Sequence, residues 1–323
     1  MAKNELGMNN VIQIRTTQIP DICGVMRKTK QVVSFMGPPG CGKTASVQMF
    51  AKELATAEGK KFVENPNPDD WDNEENFCFS TVLTSQIEEI DTRGLPHIIV
   101  KKNGESLTVY TMTELFPSKG RGVIFLDEFA NGRTQVQNAL QQILLEHKAG
   151  NLVISPDIQF VMASNRPQDN CGTFYIPAAL RNRVAWFEVN RPKTEEWLKL
   201  MRKIGRPINP WMEGFIIAVG EKYVDNFNPK AEQYAYGTIR SVELASKAIE
   251  GINEPEIMGM LVGGFMGAAA GQDLKAFINL SAEVDLSKLL DNPAMIKKYT
   301  DRIGMIYSIC VNLIRKGVDG DEK

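Results

Sequence analysis

The chain has 323 residues, 43% hydrophobic and 24% charged, with 37 basic against 39 acidic side chains for a net charge of −2. That balance is ordinary for a globular protein of one large or two smaller domains, and it argues against a dedicated nucleic-acid binder. Five cysteines without a Cys-x-x-Cys pair and two separated histidines, His97 and His147, argue against a zinc centre or a histidine-based catalytic dyad and point to unpaired thiols in a reducing compartment.

The opening MAKNELGMNNVIQIRTTQIP lacks the apolar core of a signal peptide. The uncharged stretch 257–271 is too short and glycine-rich to span a bilayer, so no membrane association and a cytosolic location are expected. Five strands are predicted in chain order: VVSFM (32–36), FCFSTVL (77–83), GVIFL (122–126), IQFVMAS (158–164) and VAWFEV (184–189). The acidic, proline-rich ENPNPDDWDNEEN (64–76) reads as a solvated surface loop. HIIVKKNGESLTVY (97–110) reads as a β-hairpin turning at KNGE. After residue 133, Val136, Ala139, Leu140, Ile143 and Leu144 share one face of a helix, opposite a row of glutamines. Strands alternating with helices imply a three-layer α/β domain around a mainly parallel five-stranded sheet. Beyond VNRPKTEEW the strand signal stops and helical patterns take over. The expected division is 1–190 for the α/β domain and 191–323 for a smaller all-helical one, with a disordered tail from 318. GMLVGGFMGAAAG (259–271) reads as one closely packed helix of small residues.

The chemistry sits where strands end. VVSFMGPPGCGKT fits G-x-x-x-x-G-K-[ST] between a strand and a helix. Gly37, Pro38, Pro39, Gly40, Cys41 and Gly42 form a loop whose backbone N–H groups can turn toward phosphate oxygens, with the helix start adding positive potential. Lys43 is expected to reach the β- and γ-phosphates and Thr44 to ligate Mg²⁺. The strand 122–126 runs straight into Asp127 and Glu128, two carboxylates that repel by about 2–3 kcal/mol at 6 Å and an effective dielectric near 20. With this strand expected beside the one ending at Met36, Asp127 would hold the metal through water. Glu128 would orient or deprotonate the attacking water. Asn165 ends another buried strand, placed to contact the γ-phosphate or that water. Arg181 and Arg183 precede the last strand, and Arg240 starts a helix of the second region.

In this order the set resembles the AAA+ ATPases. The resemblance implies an αβα P-loop AAA+ domain with a helical lid, ATP and Mg²⁺ as cofactors, and ATP hydrolysis. It implies Asn165 as sensor 1, Arg240 as sensor 2 contacting nucleotide, and Arg183 as an arginine finger reaching a neighbouring subunit, with Arg181 the other choice. LTSQIEEIDTRGLP, ELFPSKGRGVIFLDEF and VQNALQQILLEHKAG further resemble the MoxR branch, whose Ser-Gln…Asp-x-x-Gly-x-Pro segment is matched by Ser85, Gln86, Asp91, Gly94 and Pro96. Where that branch reads Asn-Arg-Ala-Pro-Pro, this chain has ANGRT (130–134). The branch implies a hexameric ring, a partner bearing a von Willebrand factor A domain, and chaperone-like remodelling or activation of a protein target. Two other readings stand beside it. One is a DNA-linked AAA+ ATPase, disfavoured by the charge balance and by the small size of the basic clusters at Arg27, Lys28, Lys30, Lys101 and Lys102. The other is a slowly hydrolysing assembly scaffold, which would have no need of Glu128.

Overall fold

The computed structural model describes residues 11–111, 113–150, 152–169, 174–230, 233–282, 289, 291–299 and 303–320. The first ten residues, Cys171 and the last three residues lie outside them. The chain divides into two compact units between Arg191 and Pro192.

The first unit is built on β1 (Ile12–Arg15), β2 (Val33–Met36), β3 (Lys61–Glu64), β4 (Asn76–Leu83), β7 (Gly122–Asp127), β10 (Ile158–Ser164) and β11 (Ala185–Asn190). They form one sheet in the order β1-β11-β2-β10-β7-β4-β3, parallel at every pairing. Side chains alternate across it. Phe35, Phe79, Phe125 and Val161 bury against Ile19 and Cys23 of α1 (Ile19–Thr29) and Val47 and Phe50 of α2 (Lys43–Ala57). Ile124, Leu126, Phe160 and Met162 bury against Val136, Leu140 and Ile143 of α5 (Thr134–Glu146). Helices on both faces explain why the central strands are continuous apolar runs.

Three features of the first unit depart from the sequence reading. The sheet has seven strands, because β1 and β3 are four-residue edge strands whose mixed polarity gives no continuous apolar run. The strand ending at Asp127 is not beside the one ending at Met36; β10 lies between them. The acidic segment expected as a loop folds into α3 (Pro68–Asp72), reciprocally capped by Asn67 and Asp70, with Trp71 buried against the core. α4 (Glu89–Arg93) leads into the antiparallel hairpin β5 (Pro96–Val100) and β6 (Ser106–Tyr110). A small second hairpin joins β8 (Lys148–Ala149) to β9 (Leu152–Val153), and α6 (Ala178–Arg181) precedes β11.

The described residues of the second unit contain helices and no strand: α7 (Thr194–Lys203), α8 (Pro210–Val219), α9 (Ile239–Ala248), α10 (Pro255–Met266), α11 (Ala268–Ala282) and α12 (Ile303–Gly320), with short 3₁₀ turns. Trp197, Phe215, Val242, Val262 and Phe277 belong to their common core. The small-residue stretch is two helices broken at Gly267, which adopts φ 97°. They approach so closely that a Cβ on Gly271 would lie 2.1 Å from the Gly259 carbonyl oxygen. The last helix runs through Gly320, and Met305 and Ile309 of its first turns are buried together with Leu289. No helix among the described residues is long and apolar enough to cross a membrane.

Candidate functional site

The loop between β2 and α2 is shaped by its glycines and stapled at its ends. Gly40 and Gly42 adopt φ 70° and 95°, values that cost an L-residue about 1–2 kcal/mol. A Cβ on Gly37 would meet the Val189 carbonyl oxygen at 2.6 Å. The Gly37 N–H donates to the Ser164 carbonyl at 3.2 Å, tying the loop's start to the end of β10. Thr16 Oγ1 donates to the Cys41 carbonyl (2.9 Å) and the Asn190 carbonyl (3.1 Å), fixing the other side. Lys43 is buried over the loop, its Nζ donating to the carbonyls of Gly37 (2.9 Å) and Pro38 (3.0 Å). A cation held by two backbone carbonyls in a glycine turn at a helix start can exchange those partners for phosphate oxygens.

Thr44 and Asp127 meet beside this cradle, Thr44 Oγ1 donating to Asp127 Oδ2 at 3.0 Å. The other Asp127 oxygen accepts from the Glu128 backbone N–H at 2.9 Å. Glu128 adopts φ 53°, a left-handed conformation rare outside glycine and asparagine. Its Oε2 accepts from Ser85 Oγ at 2.5 Å. Ser85 follows β4, which lies on the side of β7 away from β2 and β10. The repulsion expected between adjacent carboxylates is thus relieved by divergence, Asp127 facing the P-loop helix and Glu128 facing the β4 turn. Thr44 hydroxyl and Asp127 carboxylate are both oxygen donors at the mouth of the cradle, a set that fits a hard divalent cation such as Mg²⁺.

Asn165 directly follows β10, so it sits between the P-loop start and Asp127 along the carboxyl edge of the sheet. Lys43, Thr44, Asp127, Glu128 and Asn165 are therefore gathered at one edge, where open parallel sheets bind ligands. Arg181 and Arg183 are not. They precede β11, which pairs in register with β2 from Val33↔Ala185, and so lie at the opposite, amino edge. The Arg181 guanidinium stacks 4.7 Å from the Tyr175 ring centroid and donates to its hydroxyl. Arg183 is exposed on an open groove along the polar face of α5, beside Asn138, Gln141, Gln142 and Glu146. Arg240 is exposed in the first turn of α9, in the second unit, behind a capping box of Thr238 and Ser241.

The sequence reading missed three residues of this edge. Ser85 entered it only through a family motif, without a part at Glu128. Thr16 lies far from the loop in sequence and gives no local signal. Arg166 engages Asp169 and Glu188, and only the Arg-x-x-Asp spacing hints at it. Arg133, from the segment departing from the MoxR pattern, forms an exposed ion pair with both oxygens of Glu88 (2.8 and 3.0 Å). Such a pair contributes about 1 kcal/mol or less.

Residues 33–188, which are 156 of the 323, match the family described as "ATPase family associated with various cellular activities (AAA)". No curated protein matches the sequence. Among solved structures, a Cytophaga hutchinsonii protein taken to be an ATPase is 17% identical, with 87% of this chain and 64% of that one covered and a TM-score of 0.39. This chain thus spans just under two thirds of that protein's length. A Thermotoga maritima RuvB mutant is 13% identical over 84% and 70% of the two chains, TM-score 0.43. Aeropyrum pernix ORC2, in ADPNP and ADP complexes, is 13% identical over 94% and 84%, TM-score 0.44. At TM-scores below 0.5 these likenesses carry no argument about this chain.

Proposed function

We propose that the AAA ATPase domain carried by residues 33–188, which binds ATP with Mg²⁺ and hydrolyses it, drives a homo-oligomeric ring that remodels a protein partner. The observation that carries the reading is the convergence of Lys43, Thr44, Asp127 and Glu128 at one sheet edge, with Asn165 between them. In this reading the backbone N–H groups of Gly40, Cys41 and Gly42 face the phosphates, Pro38 and Pro39, which have none, shape the loop, and Lys43 leaves its loop carbonyls for the β- and γ-phosphate oxygens. Thr44 and Asp127 hold the Mg²⁺, which when bound neutralises charge on those phosphates. Glu128 leaves Ser85, orients a water and takes its proton as the water oxygen bonds to phosphorus and the bond to the ADP oxygen breaks. Asn165 orients that water or the γ-phosphate.

Arg183 completes the site from a neighbouring copy. Its own P-loop lies at the other edge of the sheet, a strand length away, and Arg181 is occupied by Tyr175. An arginine supplied in trans contributes about 10³–10⁵ in rate, so turnover depends on assembly. Arg240, on the all-helical region 191–323, is the candidate sensor 2 by the resemblance given above. The segment from Ser85 to Pro96 and its neighbours support a MoxR-type ring of six subunits, working with a partner that bears a von Willebrand factor A domain.

The test is the solution mass of Glu128→Gln with and without Mg·ATP. This variant keeps nucleotide while stalling hydrolysis, and a shift to about six subunits is expected. A monomer that persists with ATP bound, at concentrations well above those in the cell, would refute the ring. Arg183→Ala is expected to abolish turnover with ATP affinity unchanged, whereas Arg181→Ala retains activity.

A further inference from the structure

Arg166 stands two residues beyond the last residue of β10, next to Asn165. Its Nε and Nη2 donate to the Asp169 carboxylate at 3.1 and 2.8 Å, and its own backbone N–H donates to Asp169 Oδ2 at 3.1 Å. Its Nη1 donates to Glu188 Oε1 at 3.1 Å. Glu188 belongs to β11, and in the sheet β2 separates β11 from β10. One guanidinium therefore spans two strands and crosses the end of the strand between them. Met36, the last residue of β2, is in register with both Ser164 and Glu188. The next residue, Gly37, opens the P-loop and donates its N–H to the Ser164 carbonyl.

The bridge is an expensive way to stabilise a fold. The Asp169 and Glu188 side chains are 2% and 9% exposed and Arg166 only 21%, so one largely buried cation bridges two buried carboxylates. Buried ion pairs of this kind are commonly no more stabilising than apolar packing of the same volume, although breaking one is severe. What apolar packing could not supply is a fixed spacing between the turn after β10 and strand β11, set by the rigid planar fork of the guanidinium.

We propose that Arg166 is a positioning residue for ATP hydrolysis: bridged to Asp169 and Glu188 across β2, it holds Asn165 and the start of the P-loop in register. The inference rests on the reading of Asn165 given above and adds to it a device that sets where Asn165 stands. It assigns no contact between Arg166 and nucleotide.

The experiment compares full-length wild type with Arg166→Lys, Asn165→Ala and the double variant. Lysine keeps the charge but cannot engage both carboxylates through a fork. On the folded fraction, Arg166→Lys is expected to lower kcat by about 10–100-fold, the range for small misplacements of a site, with ATP affinity within about threefold of wild type. The double variant is expected to be no slower than Asn165→Ala by more than about threefold, because both changes disable one element. Hydrogen exchange at the amides of Gly37 and Arg166 is expected to accelerate. An unchanged kcat in folded Arg166→Lys, or losses that multiply in the double variant, would overturn the proposal. Unchanged exchange at Gly37 would also overturn it, whatever the turnover. If Asn165→Ala alone leaves kcat untouched, the reading of Asn165 fails and the positioning role with it, whereas accelerated exchange then marks a purely structural bridge. Should Arg166→Lys fail to fold, Glu188→Gln weakens one arm of the bridge and is read in the same way.

Discussion

The bond between Ser85 and Glu128 makes a quantitative prediction about basal turnover. Glu128 is held on the β4 side of its strand, while Thr44 and the P-loop lie on the other, so in the proposed reaction the carboxylate leaves Ser85 before it addresses a water at the γ-phosphate. A hydrogen bond to a charged group contributes about 1.5–3 kcal/mol net. Ser85 is exposed and Glu128 half-buried, so water compensates part of it and about 1 kcal/mol is the appropriate figure. Removing the bond in Ser85→Ala lowers the cost of swinging Glu128 by that amount, about a fivefold change in an equilibrium. Steady-state hydrolysis by Ser85→Ala is expected to run about fivefold faster at saturating ATP, with KM little changed. Adding Glu128→Gln should erase the gain. A kcat that is unchanged or lower would refute the reasoning, because it would mean that Ser85 holds Glu128 where it works.

Two further outcomes follow from local strain and burial. Measured in a Ser85→Ala background, where the bond to Glu128 is already absent, Glu128→Gly removes a side chain from a left-handed backbone position and should stabilise the first unit by about 1 kcal/mol, or roughly 2–4 °C in Tm; a lower Tm in that background would show that φ 53° is not strained. Burial pushes the His147 imidazole below its ordinary pKa of 6.5, with the nearby Lys30 charge acting in the same direction and the Ser155 carbonyl opposing. The folded state therefore binds this proton less readily than the unfolded one. Stability is full above pH 6.5 and declines as pH falls toward the lower folded value, then levels off. Urea titrations between pH 7 and 5 should show a flatter pH dependence in His147→Gln, and identical slopes would exclude His147 as the source.

The parts of this protein that a linear reading captures are those whose physics is local. Continuous apolar runs at 122–126 and 158–164 had to be strands covered on both faces, and the glycine loop before Lys43 had to be a turn at a helix start. The adjacent Asp127 and Glu128 marked the carboxyl edge of the sheet. The face of α5 that packs on the sheet was likewise visible in its 3.6-residue period. What the chain order could not convey was which strands are neighbours. β10 is inserted between β2 and β7 and places Asn165 midway along the site, while β1 and β3, short and polar at the edges, join through backbone pairing that leaves no apolar signature. Ser85, Thr16 and the Arg166 bridge are contacts across 43, 25 and 22 positions of sequence, and each depends on strand order rather than on residue type. The placement of Arg183 at the edge opposite its own P-loop is of the same kind: parallel pairing of β2 with β11 decides it, because a residue before one strand and a loop after its neighbour must lie at opposite ends of the sheet.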